Sequence, residues 1–123
     1  VGSSFVISNS SSVSNSQNGF VAVNALSISH CTARSNLGLG YSLGANATAS
    51  NCIAYLNTGS GFTASNGSSL SFCVARNNQG QGFDLGTSCT ITHCNAVGNN
   101  LNGIRVSSGC IVRQNNCDSN GLG

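Results

Sequence analysis

An all-β solenoid is what this sequence predicts: one chain wound into about six coils of 21 residues, each carrying three short parallel strands. Three observations predict it. Gly19, Gly40, Gly61, Gly82 and Gly103 are each 21 residues apart, and each is followed by a large apolar residue: Phe20, Tyr41, Phe62, Phe83 or Ile104. With that glycine as position 0 of a coil, Cys31, Cys52, Cys73 and Cys94 fall at position 12. Asn15, Asn36, Asn57, Asn78, Asn99 and Asn120 form a second column at position 17. Within each coil, apolar residues alternate with polar ones at positions 1 and 3, mostly 7 and 9, then 12 and 14, with no insertion or deletion anywhere. Alternation with a period of two marks a strand with one buried face.

The elements follow in order along a coil. The opening glycine suits a corner with positive φ or a close backbone approach. Each apolar pair is the inner face of one short strand, so positions 1, 3, 7, 9, 12 and 14 are expected inside and 2, 8 and 13 outside. Successive coils then pair in register as parallel strands about 4.8 Å apart. Core volume balances coil by coil: Ala22 and Ala64 are matched by Ile28 and Leu70, and Leu43 by Ala47 and Ala49. The asparagine column suits a turn, because Asn tolerates a left-handed backbone and its amide can bond to its copies in adjacent coils. Such a ladder satisfies polar groups that would otherwise be buried unpaired. No 3.6-residue period survives, and Gly or Asn interrupts every segment, so helices are excluded.

Composition narrows the class further. The 123 residues suffice for a single domain, 1–123, with a real core. Only 5% are charged, and Lys, Pro, Met and Trp are absent. Disorder is excluded by the strict apolar schedule. A net charge of +2 with four scattered arginines gives no nucleic-acid footprint. No run approaches the ~18 apolar residues of a membrane span. The chain opens at Val1, without an initiating methionine, as a processed chain or excised fragment would.

An Ile-x-x-Cys-x-Ala-x-x-Asn stretch leading into Asn-x-x-x-Gly-Phe, repeated along the whole chain, resembles the right-handed β-helix repeats of the pectin-lyase-like superfamily. The resemblance implies a right-handed, single-stranded parallel β-helix and is nearly silent on function. Left-handed hexapeptide helices and calcium-binding nonapeptide rolls, with coils of about 18 residues, fit less well.

Catalytic machinery is not evident. Asp84 and Asp118 are the only side-chain carboxylates, on different faces and more than one coil apart, whereas a glycosidase needs two within roughly 5–10 Å. Lyases of the family, by resemblance, use clustered acidic residues for calcium and a basic residue on long loops; neither cluster nor long loop is present. His30 and His93 share a column three coils apart, about 14 Å, too far for one metal, and read as solvated corner residues. No catalytic residue, metal site or cofactor is therefore assigned. The Cys31, Cys52, Cys73 and Cys94 column points inward, where a free thiol packs as a small hydrophobe. Stacked in-register side chains would need a strained dihedral to form disulfides. Cys89 and Cys110, neighbours at position 7, are the pair best placed to depart from that, and Cys117 stands alone in the alanine column.

Three surface features are candidates. Arg34, Tyr55 and Arg76 stack outward on consecutive coils beside Ile53, Val74 and Phe72, a strip that could face a glycan or a partner protein or be ordinary surface packing. Asp84 and Arg105 adjoin as a surface pair. Ser27, Ser29, Thr48, Ser50, Ser69, Ser71, Thr90 and Thr92 form an outward hydroxyl array on four coils. That array resembles the Thr-x-Thr ladders of ice-binding solenoids, although Ser outnumbers Thr and it stops at Ile111 and Arg113. Glycosylation triplets at Asn9, Asn46 and Asn66 are no more than the Asn- and Ser-rich composition produces.

The expected function is a non-catalytic structural or adhesive solenoid segment of an extracellular or cell-surface protein. Val1 sits at an inward position and Gly123 completes a coil, with no cap at either end. The expected partners are further coils of the same chain or identical subunits stacked end to end, with polysaccharide a further candidate. The alternative is the repeat scaffold of a carbohydrate-active enzyme, a polysaccharide lyase, hydrolase or epimerase, with its catalytic part elsewhere; ice binding is a minor one.

Overall fold

The computed structural model describes residues 4–123; Val1, expected to point inward, lies outside them. Among the described residues, seventeen short strands form three parallel sheets around one core. The first sheet contains Phe5–Ser8, Leu26–Ser29, Thr48–Ser50, Ser69–Ser71, Thr90–Thr92 and Ile111–Arg113. Ser11–Val13, Thr32–Arg34, Ile53–Tyr55, Val74–Arg76, Asn95–Val97 and Asn116–Asp118 make the second. The third contains Phe20–Ala22, Tyr41–Leu43, Phe62–Ala64, Phe83–Leu85 and Ile104–Val106. Each residue pairs with the one 21 further on, as Leu70 with Ile91, Ala75 with Ala96 and Phe62 with Phe83. The predicted all-β, three-stranded coil and its register are what the chain adopts.

The core follows the alternation. Ile28, Ala49, Leu70 and Ile91 form one buried column on the first sheet, and Ala33, Ala54, Ala75 and Ala96 form another on the second. Position 1 builds a feature beyond simple apolarity. Phe20, Tyr41, Phe62 and Phe83 stack ring on ring, with centroids 5.1, 4.4 and 4.9 Å apart and planes within 11° of parallel. The Tyr41 hydroxyl donates to the Ile53 carbonyl at 3.1 Å, so its polar end is satisfied inside the core. Position 7 holds a buried serine, Ser68, whose hydroxyl accepts from the Ala47 amide and donates to the Gly44 carbonyl, both at 3.2 Å.

The asparagine ladder forms, but its backbone differs from the expectation. Left-handed residues stand at positions 6, 11 and 16, not at the asparagines of position 17. The turn is made by the residue before each asparagine (Ser14, Ser35, Leu56, Asn77, Gly98 or Ser119), which frees the asparagine to point inward. The opening glycines are also not left-handed; the close approach accounts for them. A Cβ on Gly61 would lie 2.7 Å from the Gly82 carbonyl and 2.9 Å from both the Ala75 Cβ and the Asn78 amide.

Candidate functional site

The second sheet carries the strip on its outer face. Strand alternation turns positions 13 and 15 outward, and the 21-residue register stacks Arg34, Tyr55 and Arg76 in one column. The Arg34 guanidinium donates to the Tyr55 hydroxyl at 3.2 Å, with its Cζ 5.9 Å from the ring centroid. Arg76 covers the other side of the ring, its Cζ 4.8 Å away. Tyr55 is thereby clamped between two cations, a geometry worth about 0.5–1 kcal/mol at an exposed site. Ile53 is 37% exposed and Val74 half-buried beside the column. Phe72, 56% exposed, adds a contact that its place at a corner did not advertise: its ring stacks on His93 at 4.8 Å and 14°. His30 and His93 are both solvent-exposed corner residues, each with a left-handed backbone.

The first sheet displays the hydroxyl array in register. Ser27, Thr48 and Ser69 are exposed and Ser29, Ser50, Ser71, Thr90 and Thr92 half-buried, two columns wide and four coils long. On the third sheet Arg105 forms a two-pronged pair with Asp84, Nε to Oδ1 at 2.8 Å and Nη2 to Oδ2 at 2.6 Å, which raises the guanidinium pKa. Beside it a shallow groove of about 420 Å³ is lined by Ser42, Thr63, Ser65, Asn66, Asp84 and Ser107 among others. Asp118 lies on the second sheet, so the two carboxylates stay on separate faces.

The interior columns are structural in their contacts. Asn57 shows the ladder pattern: its backbone N and Nδ2 both donate to Asn78 Oδ1, at 3.1 and 3.0 Å, and Nδ2 also donates to the Ala33 carbonyl at 3.2 Å. Its own Oδ1 accepts from the Asn36 backbone N and Nδ2, and the pattern repeats from Asn15 through Asn120. All seven cysteines are free, with Cys31, Cys52, Cys73, Cys89 and Cys94 buried and Cys117 exposed. Desolvation raises the Cys31 and Cys89 thiols, and contact with the Cys52 and Cys94 sulfurs, then burial, holds Cys73 far above the usual thiol range. Cys89 and Cys110 meet through the Cys89 amide, which donates to the Cys110 sulfur at 3.3 Å.

A family model described as a right handed beta helix region matches residues 1–120. The chain belongs to that family, and the pectin-lyase-like resemblance of its repeat agrees with it. No curated protein and no solved structure matches the chain. What the fold and family establish together is a β-helix repeat scaffold.

Proposed function

We propose that this scaffold is a non-catalytic structural or adhesive segment of a secreted or cell-surface protein, whose outermost coils are covered by further coils of the same chain or by identical subunits. The supporting observation is a contrast within one column. Leu70 and Ile91, with a coil on either side, are fully buried, whereas Val112 in the last coil is 48% exposed. Phe5 is 56% exposed at the other end, where Ile7, Ala22 and Leu26 line an apolar recess with it. Open sheet edges and apolar faces of this kind are templates for another strand layer. A head-to-tail contact between identical subunits does not close and so propagates as a filament. Light scattering and electron microscopy of the isolated chain test this. Rods of one width whose length grows with concentration, and which Val112→Glu shortens, are expected; a monomer that stays dispersed at high concentration overturns the proposal.

A second reading, the scaffold of a carbohydrate-active enzyme, draws support from the polar groove beside Asp84. Binding of neutral oligosaccharides that Thr63→Val abolishes would favour it.

A further inference from the structure

Among the described residues, Arg34 and Arg76 are cations without a carboxylate partner: the one ion pair is Asp84 with Arg105, on a different sheet. The whole chain has only two side-chain carboxylates, and the second, Asp118, stands two coils beyond Arg76 in the same outward column. Tyr55 holds both guanidiniums in place from either side of its ring. Its faces are thus occupied, and what it presents outward is an edge rather than a platform for stacking. Around this charged column lie exposed apolar groups, Ile53, Leu56 and Phe72. Arginine and aromatic residues set among exposed aliphatics are the composition of protein–protein contact sites.

We propose that the outer face of the second sheet docks an acidic, extended segment of a partner protein, with carboxylates on Arg34 and Arg76 and apolar residues on Ile53, Val74 and Phe72. Charge complementarity selects the acidic partner. Spacing selects its form: the two arginines are two coils apart, roughly 9.6 Å, and one turn of a polyproline helix brings residues i and i+3 to the same side at about 9.3 Å. A second copy of this chain fits poorly. Antiparallel pairing that sets Asp118 against Arg34 also sets Arg76 against Arg76, like charges face to face at the centre of the contact. The register that sets Asp118 against Arg76 centres on Val97 and leaves Arg34 and Tyr55 overhanging the partner's last coil. The proposal stands whether or not the chain assembles end to end.

The chain has no Trp and two Tyr, and Tyr41 is fully buried out of reach of a surface ligand, so a change in tyrosine emission on binding reports chiefly on Tyr55. The probe is a blocked Pro-Glu-Leu-Pro-Glu-Leu-Pro peptide, titrated at low salt. A saturable emission change that weakens with salt is expected, reduced about fivefold by Arg34→Gln or Arg76→Gln alone and roughly tenfold or more by both. Arg105→Gln, on the third sheet, leaves it unchanged. Any of four results overturns the proposal: no saturable change, equal binding of the peptide with Gln for Glu, full binding by the double variant, or tighter binding of an acidic tetrasaccharide than of the peptide. Concentration-dependent dimerisation abolished by Tyr55→Ala also overturns it, because the face then belongs to a second copy.

Discussion

Two corners of the coil turn the chain by different means. Between the first and second sheets a single left-handed residue suffices, and six different coils place Asn9, His30, Asn51, Phe72, His93 and Gln114 there. Backbone bonds to the next coil hold the left-handed residue at both corners, as from the His30 amide to the Ser50 carbonyl and from Ser35 to Tyr55, both 3.2 Å, and at the first corner no single side-chain type is added to them. After the second sheet the left-handed residue is followed by an inward-pointing asparagine, and every coil uses the same residue type. The difference teaches where sequence is constrained. A corner satisfied by backbone groups accepts any side chain that bears the φ angle, whereas one satisfied by a side-chain amide accepts only that amide.

The largest expected effect breaks the second corner. Asn57→Ala removes the acceptor of Asn36 N and Nδ2 and the donor to the Ala33 carbonyl, all buried. Unsatisfied groups cost about 1–3 kcal/mol each, so a loss on the order of 4 kcal/mol is expected by urea unfolding. Asn51→Ala at the first corner should cost only about 1 kcal/mol, the left-handed penalty of a residue with a Cβ. Equal losses would dissolve the distinction.

Alkaline pH should act on the buried thiols and spare the asparagine corner. Cys31 follows His30 directly, and burial raises its thiol above the ordinary value of 9.0; Cys89 is raised likewise. A raised thiol contributes its full stability below the unfolded pKa and loses it as pH rises through the folded one, because only the unfolded chain ionises between the two. The asparagine ladder does not titrate. The Cys31 and Cys89 contribution to unfolding free energy should therefore fall as pH rises above about 9; a Cys31→Ala, Cys89→Ala variant should show a smaller alkaline fall than the parent chain.

Phe72→Asn sharpens the comparison from the permissive side. A bulky left-handed residue is strained, and Asn relieves that at the expense of the stack on His93. A net gain of about 0.5 kcal/mol is expected; a loss above about 1 kcal/mol would show that the ring pair, not the backbone, holds this corner. The smallest effect is kinetic. Cys52 and Cys73 should resist alkylation until unfolding while Cys117 labels at once, as read by mass spectrometry over time.

Legibility along the chain follows the same logic. The period, the asparagine column and the inward thiols were readable because one residue type meets one chemical need in coil after coil. The left-handed corners were not, because unlike residues occupy them and the constraint lies in φ. Ser68 was hidden for a related reason: a serine in an apolar column reads as an interruption until the Ala47 amide and Gly44 carbonyl are seen around it. Period alone brought Arg34, Tyr55 and Arg76 together, but the clamped ring and the Phe72–His93 stack depend on side-chain torsions that a repeat does not encode.

The register has a mechanical consequence. Because every strand pairs with the one 21 residues away without stagger, the hydrogen bonds run along the axis of the rod. Tension applied between its ends loads them one layer at a time, like a zip, and not all together in shear. Each layer that yields releases 21 residues, about 70 Å of extended chain, against the roughly 4.8 Å of axial length it occupied. Under load such a rod would lengthen in uniform steps and spend work at each, behaving as an extensible tether rather than a rigid strut.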